Sequence, residues 1–336
     1  MEARQELELP RGPEWQYEPK WDGFRCLARR KGGKVELVGR SGKSLSRYFP
    51  DIVSALSHLE PRRFLIDGEL VIPVGKILSF DELQMRLHPA ASRVAKLAAA
   101  HPALFIAFDM LQTPQGKEIA TKPLAERRAM LEEFFGSLAN AGPLRLSPAT
   151  RRRAEAQKWL ARAGGGALDG VVAKRLDDPY LAGERAMVKV KCLRTADCVV
   201  GGFRYASNGK HALGSLLLGL FNEQGKLDHV GFTSSFSQDQ RRAITPRLER
   251  LRGGPGFTGN APGGPSRWST ERSVEWQPLK PRLVAEVEYD QITSDRFRHG
   301  TRFVRWRPDK RPEQCTFDQL CQEARPSRLV EAMSAD

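Results

Sequence analysis

A chain of 336 residues exceeds the usual single domain, so two domains or one large α/β domain are expected, and either buries a substantial core. With 40% hydrophobic and 28% charged residues the composition is that of a folded globular protein, while a net charge of +14 and a pI near 9.8 point to a polyanion, nucleic acid first, or to a basic solvated surface. Cys26, Cys192, Cys198, Cys315 and Cys321 form an odd set without a C-x-x-C pair, which argues against a disulfide framework and a structural zinc site. The amino terminus lacks the blocks of a signal peptide and no apolar run is long enough to cross a bilayer, so a cytoplasmic protein without a membrane partner is expected.

In chain order, Lys20-Trp21-Asp22-Gly23-Phe24-Arg25 arrives after a short Pro/Glu-rich lead, with no room for a domain ahead of it. Phe24 to Val38 reads as a β-hairpin around Lys31-Gly32-Gly33-Lys34, and Pro50 to Leu59 as an amphipathic helix with Ile52, Val53, Leu56 and Leu59 on one stripe. Phe64 to Ile72 is a predicted strand in which Asp67 and Glu69 share a face, because successive side chains alternate. Helices follow at Ser79 to Arg86 and Ala90 to Ala100, a buried strand at Pro102 to Leu111 carrying Phe108-Asp109, and helices at Ala125 to Ala139 and Arg151 to Ala163. The strands Asp169 to Lys174 and Met187 to Lys191 come next, the second aiming Lys189 and Lys191 together.

From Thr195 the pattern changes to short strands: Cys198 to Tyr205, Ser215 to Phe221, Leu227 to Thr233, Leu283 to Ile292 and Arg302 to Trp306. Their size and spacing suggest an OB-fold barrel, interrupted by a Gly/Pro-rich run from Gly253 to Pro265 that reads as a mobile loop. In the last strand Val304 and Trp306 are expected to face the core, with Arg305 and Arg307 on the outside. The domains are set at residues 1–193 and 194–336.

Singly, these pieces have bland readings. The lysine motif fits a solvated turn with a salt bridge, Phe108-Asp109 a core aromatic beside a helix cap, and the paired lysines the solvent side of an edge strand. Their order is more specific. Lys20-Trp21-Asp22-Gly23-Phe24-Arg25, Asp67-Gly68-Glu69, Phe108-Asp109, Asp169-Gly170-Val171-Val172-Ala173-Lys174, Val188-Lys189-Val190-Lys191 and Arg307-Pro308-Asp309-Lys310 resemble, in sequence, the six motifs of the covalent nucleotidyltransferases: ATP-dependent DNA ligases, RNA ligases and capping enzymes. The family most often has glutamate where this chain has Asp169; a carboxylate is kept.

The resemblance implies an α+β fold: an antiparallel-sheet nucleotidyltransferase (adenylation) domain followed by an all-β OB-fold domain. It implies Lys20 as the nucleophile on ATP, Glu18 near the base, Phe108 stacking on adenine, Glu69 near the ribose, and Arg40 near phosphate. Arg25, Lys189 and Lys191 would meet the charge that builds on phosphorus, and by repulsion would favour a free amine on Lys20. Glu69 and Asp169 would hold Mg²⁺ or Mn²⁺. Arg307, Asp309 and Lys310 would orient pyrophosphate as the OB domain closes over ATP, before it swings to clamp nucleic acid.

The expected protein is a monomeric two-domain ligase that seals nicked double-stranded DNA in repair, most similar to the small bacterial ligase C type, and working at the nucleoid. Too few residues precede Lys20 for the module that binds nicotinamide mononucleotide in NAD-dependent ligases, so ATP is the expected donor. An RNA ligase or capping-type guanylyltransferase, and a non-catalytic OB-containing nucleic-acid binder, remain the alternatives.

Overall fold

The computed structural model describes residues 1–75, 77–163, 168–206, 212–263, 275–293 and 295–320. Its contacts divide into two compact units, one of Met1–Cys192 and one beginning at Leu193. The four described cysteines are free thiols; Cys321 lies outside the described residues.

The first unit carries two sheets. Its strands are β1 (Ala3–Gln5), β2 (Trp15–Trp21), β3 (Phe24–Lys31), β4 (Lys34–Gly39), β5 (Arg63–Val71), the short pair β6 (Pro73–Val74) and β7 (Ile77–Leu78), β8 (Leu104–Gln112), β9 (Leu144–Leu146), β10 (Leu168–Arg175) and β11 (Met187–Lys191). One sheet runs β1-β11-β10-β2 and the other β4-β3-β5-β8-β9. Both are antiparallel except at β1 and β9, which add parallel edges that the expectation of antiparallel sheets did not include. The helices are α1 (Pro50–His58), α2 (Phe80–Met85), α3 (Ala91–Ala100), α4 (Leu124–Ser137) and α5 (Arg153–Ala161), each within two residues of its expected bounds at either end.

Alternation decides which way β2 faces. Tyr17 and Trp21 go into an apolar cluster with Val171, Val188, Val190 and, from α5, Trp159, leaving Gln16, Glu18 and Lys20 on the opposite side. β2 is the edge of its sheet, its other side meeting the chain only in a bridge between Tyr17 and Thr150, so at Pro19 no neighbouring strand needs the missing N–H. Gly23 then takes the chain from the first sheet to the second; a Cβ there would lie 2.2 Å from the Leu70 carbonyl oxygen, so no larger residue fits the crossing. The second sheet buries Cys26, Ala28, Leu37, Ile66, Leu70 and Phe105 against Ile52 and Leu56 of α1 and Leu131 and Phe134 of α4.

The second unit is a barrel of β12 (Arg194–Tyr205), β13 (Leu213–Phe221), β14 (Leu227–Thr233), the short β15 (Gln277–Pro278), β16 (Val284–Tyr289), the small pair β17 (Ile292–Thr293) and β18 (Arg296–Phe297), and β19 (Arg302–Trp306). The order is β14-β13-β12-β16-β19, and a bridge between Thr233 and Thr301, with Thr233 Oγ1 donating to the Thr301 carbonyl at 2.9 Å, brings the two ends together. Helix α6 (Gln238–Glu249) was not expected, since Ile244 and Leu248 are its only large buried apolar residues; it starts on a capping box of Ser237 and Gln240.

Two expectations are overturned here. The strand carrying Val304 slips by a bulge between the Glu286 and Val287 pairings, so Phe303 and Trp306 pack on the core while Val304 is 42% exposed. The Gly/Pro-rich run is not loose over its described part: the amides of Gly253, Gly256 and Gly259 donate to the carbonyls of Pro278, Leu279 and Leu227, and Phe257 is buried in the barrel core. Pro265 lies outside the described residues.

Gly170, in the middle of the first sheet, sits at φ +151°, and a Cβ there would approach the Val190 carbonyl oxygen to 2.1 Å. Gly170→Ala is expected to cost about 2–4 kcal/mol from strain and overpacking, read as a lower denaturant midpoint with an unchanged slope. An unchanged midpoint would show that the β10 backbone relaxes freely.

Candidate active site

The register of the first sheet aligns its polar side chains in rows. Lys20 of β2 stands opposite Gly170 of β10, which stands opposite Lys191 of β11; Glu18, Val172 and Lys189 form the next row, and Gln16 and Lys174 pair beyond it. The ladder between β10 and β2 passes from Leu168 to Gly170 and skips Asp169, leaving it in a β-bulge. The bulge puts the Asp169 carboxylate 2.6 Å from Lys20 Nζ and 3.0 Å from Lys191 Nζ, with Asp169 only 4% exposed. The closest charge to Lys20 is therefore the Asp169 carboxylate, expected from sequence as a holder of a divalent ion, whereas the cations Arg25, Lys189 and Lys191 were expected to act on the lysine. Lys189, half-buried and beside Lys191 and Lys20, is held below the usual lysine range, first by burial and then by repulsion from those two ammoniums.

A second bulge shapes the facing sheet. Between β5 and β8, Asp67 pairs with Asp109 and Gly68 with Ala107, so Phe108 is the residue left over. Lys174 Nζ of the first sheet lies 4.5 Å from the Phe108 ring centroid and the Arg25 guanidinium 5.7 Å from it, which fixes the aromatic between the two sheets. Lys174 also donates to Glu18 Oε2 at 2.7 Å, and Gln16 Nε2 to Glu18 Oε1 at 2.9 Å, all three side chains being buried. Behind Phe108, Asp109 is gripped at both oxygens by Arg127, at 2.8 and 2.9 Å.

Arg25 is more committed than its motif suggests. It donates from Nε and Nη2 to the two oxygens of Asp67, at 3.1 and 2.6 Å, and from Nη1 to the Met1 carbonyl; Tyr180 Oη completes the group at 2.7 Å from Asp67 Oδ2. This fixes Asp67 and leaves Arg25 little donor capacity for phosphate. Glu69, directly across from Arg25, has its carboxyl pushed up to about 8 by burial, against the pull of the Lys20 and Arg25 charges. Arg40 lies after β4, exposed, with Nη2 2.8 Å from Glu2 Oε1.

Arg307, Asp309 and Lys310 belong to the second unit. Arg307 Nη1 donates to both oxygens of Asp197 at 3.0 Å, its Nε and Nη2 reach Asp309 at 3.0 and 2.8 Å, and Lys310 Nζ donates to Asp197 Oδ2 at 2.7 Å. The Arg307 hydrogen bond draws the Asp309 carboxyl down to about 2.

Lys20, Glu18, Arg25, Glu69, Phe108, Asp169, Lys189 and Lys191 thus sit on two facing sheets of one unit, with Arg40 apart on an exposed turn. Sequence reasoning gave no role to Gln16, Asp67, Lys174, Tyr180 or Asp197. Lys174 was readable as the last residue of its strand motif and Asp67 as the first of Asp67-Gly68-Glu69; Tyr180 and Asp197 carry no local signal.

Residues 3–191 match the ATP dependent DNA ligase domain and residues 209–310 the ATP dependent DNA ligase C terminal region. DNA ligase C2 of Mycolicibacterium smegmatis is 44% identical over 92% of this chain and 90% of its own length, and DNA ligase C of Mycobacterium tuberculosis is 42% identical over 92% and 90%. A solved structure from a structure-function study of Lig E DNA ligases covers 91% of this chain and 100% of that one at 18% identity and a TM-score of 0.56, a likeness of fold. No helix among the described residues is long and apolar enough to cross a membrane. Motif order, the paired sheets around Lys20, the following barrel and these matches along both halves agree: the chain belongs to the ATP-dependent DNA ligase family.

Proposed function

We propose that this ligase seals nicks bearing 3′-hydroxyl and 5′-phosphate ends through AMP carried on Lys20, acting as a monomer on chromosomal DNA in the bacterial cytoplasm. The observation that carries the reading is Lys20 Nζ held by Asp169 beside Lys191, in a cleft that also contains Phe108 and Glu18. Attack of the neutral Lys20 amine on the α-phosphorus of ATP forms an N–P bond and breaks the bond to the bridging oxygen, and pyrophosphate leaves with that electron pair. Asp169, 2.6 Å away, is the acceptor within reach of the lysine proton. Lys189 and Lys191 offset the charge that grows on the phosphoryl oxygens. An oxygen of the 5′-phosphate at the nick then displaces Lys20 from AMP, and the 3′-hydroxyl displaces AMP to close the strand.

Phe108 offers adenine a flat apolar face, Glu18 an acceptor for its exocyclic amine, and Glu69 a hydrogen-bond partner for the ribose. Arg40 on its exposed turn is proposed to swing from Glu2 to phosphate. Arg25 is proposed to act mainly by orienting Asp67 and Phe108 and only secondarily on phosphate. Arg307, Asp309 and Lys310 are proposed to act on the departing pyrophosphate.

No group of three or more His, Cys, Asp or Glu that could hold a metal occurs among the described residues. As hard oxygen donors, Glu69 and Asp169 would suit an ion that takes few protein oxygens and keeps its waters, Mg²⁺ or Mn²⁺. Such an ion would polarise the phosphoryl oxygens of ATP. The raised Glu69 carboxyl and the cation-paired Asp169 both gain from a divalent charge nearby.

In a nicked-duplex assay with ATP and Mg²⁺, wild type is expected to seal, and Lys20→Ala to lose more than about 10³-fold of the rate. Sealing by Lys20→Ala at an undiminished rate would refute the role of Lys20, and sealing only of RNA nicks would move the substrate class.

Because the folded Glu69 carboxyl titrates near 8, well above its unfolded value, the folded state binds the extra proton and stability falls as pH rises through that window. Relative to wild type without nucleotide, Glu69→Gln is expected to gain in thermal midpoint from pH 5 to about 8 and to level off above it. A gap independent of pH would place the Glu69 carboxyl in an ordinary environment.

With a net charge of +14, the affinity for nicked duplex is expected to fall steeply with salt, the slope of log K against log[salt] counting about 0.9 per neutralised phosphate. A flat response would separate the basic surface from the DNA footprint.

A further inference from the structure

Two carboxylates from outside the sequence motif lie at Arg307: Glu286, 3.9 Å from Nη1 and itself held by Arg305 at 2.7 Å, and Asp197, which accepts hydrogen bonds from Nη1 and lies 110 positions upstream. It belongs to β12 at the start of the barrel, is 11% exposed at its side chain, and is fixed at its backbone from both sides: its amide donates to Gln319 Oε1 at 2.9 Å and its carbonyl accepts from Gln319 Nε2 at 3.1 Å. The Arg307 amide is likewise tied, donating to the Val284 carbonyl at 2.8 Å, and that of Lys310 donates to the Arg307 carbonyl at 3.2 Å. Both cations are thus anchored at the backbone and converge on one carboxylate whose own backbone is held by Gln319.

The two acids hydrogen-bonded to Arg307 differ in standing. Asp197 is buried and takes Nη1, whereas Asp309 is 59% exposed and takes the Nε–Nη2 edge with its two oxygens. Two oxygens on that edge is the arrangement by which a guanidinium grips a phosphate, so the Asp309 carboxylate stands where phosphate oxygens would bind. Displacing it costs little burial and leaves Arg307, Lys310 and Asp197 with one net positive charge, since Glu286 beside Arg307 is balanced by Arg305. Displacing Asp197 would strand a buried carboxylate.

We infer that Asp197 is a positioning residue for the polyphosphate of ATP: it holds Arg307 Nη1 and Lys310 Nζ so that the remaining edge of Arg307 can exchange Asp309 for the pyrophosphate that leaves during adenylation. This rests on the reading that Arg307 and Lys310 act on that pyrophosphate. Its consequence is selective, because sealing of a nick that already carries AMP on its 5′-phosphate releases no pyrophosphate.

The test uses the full chain and two reactions: adenylation of the protein by ATP and Mg²⁺ in a single turnover, and sealing of a pre-adenylated nick without ATP. Asp197→Asn is expected to slow adenylation about 10- to 100-fold, as misplacement of a charge-stabilising group does, with sealing of the pre-adenylated nick within about twofold of wild type. Adenylation at the wild-type rate, or equal slowing of both reactions, would overturn the assignment. Should Asp197→Asn fail to fold, Asp197→Glu keeps the charge and shifts it by one methylene, and the same split between reactions is expected at smaller amplitude; its absence overturns the assignment. Arg307→Ala separates the two layers: full adenylation by that variant would refute the role of Arg307 itself, whereas slow adenylation beside a normal Asp197→Asn would refute Asp197 alone.

Discussion

The ion pairs of Asp169 with Lys20 and Lys191 hold the candidate site together. A buried carboxylate needs compensation, and two ammoniums on neighbouring strands supply it. In return the carboxylate allows three lysines to stand on adjoining rows of one sheet, an arrangement that repulsion alone would push apart. Loss of the Lys20 positive charge on adenylation would remove one of the two partners of Asp169. Once the proton proposed to pass from Lys20 to Asp169 has moved on to solvent, a divalent cation suits the vacated place, so Lys20 and the proposed metal ligand are linked by one charge balance.

That arrangement depends on backbone features more than on side-chain identity. Asp169 reaches Lys20 because the β10 ladder skips it, and the skip is followed by Gly170 in a conformation that side chains rarely adopt. Phe108 reaches the cleft by the same device on the facing sheet. Pro19 is acceptable beside Lys20 because β2 is an edge of its sheet. The shorter aspartate at position 169 is served by the bulge, which brings its carboxylate to 2.6 Å from the lysine nitrogen.

Much of this was legible in the sequence, and the failures share a cause. Period-two alternation placed Asp67 with Glu69 and Lys189 with Lys191 on common faces, and most strand and helix positions follow from such patterns, but the strand Trp15–Trp21 that puts Glu18 and Lys20 on one face was not among those expected. Alternation fails where a bulge adds a residue: at Val304 it exchanged core and solvent, and at Asp169 and Phe108 it hid which way the side chain turns. Motif reading also treats residues as free to act. Arg25 is largely spent on Asp67, with Tyr180 from far along the chain on the same carboxylate, and Arg307 is shared between Asp309 and Asp197. Such long-range partners leave no trace in local spacing. Helix α6 was missed because the barrel needs so little apolar surface from it.

The most direct measurement of the central claim is peptide mapping after incubation of the protein with ATP and Mg²⁺, with mass spectrometry locating the acid-labile AMP. The expected result is a single adduct on the peptide containing Lys20, absent when ATP is omitted and discharged by nicked DNA. An adduct on Lys189, Lys191 or any other residue, with Lys20 unmodified, would contradict it.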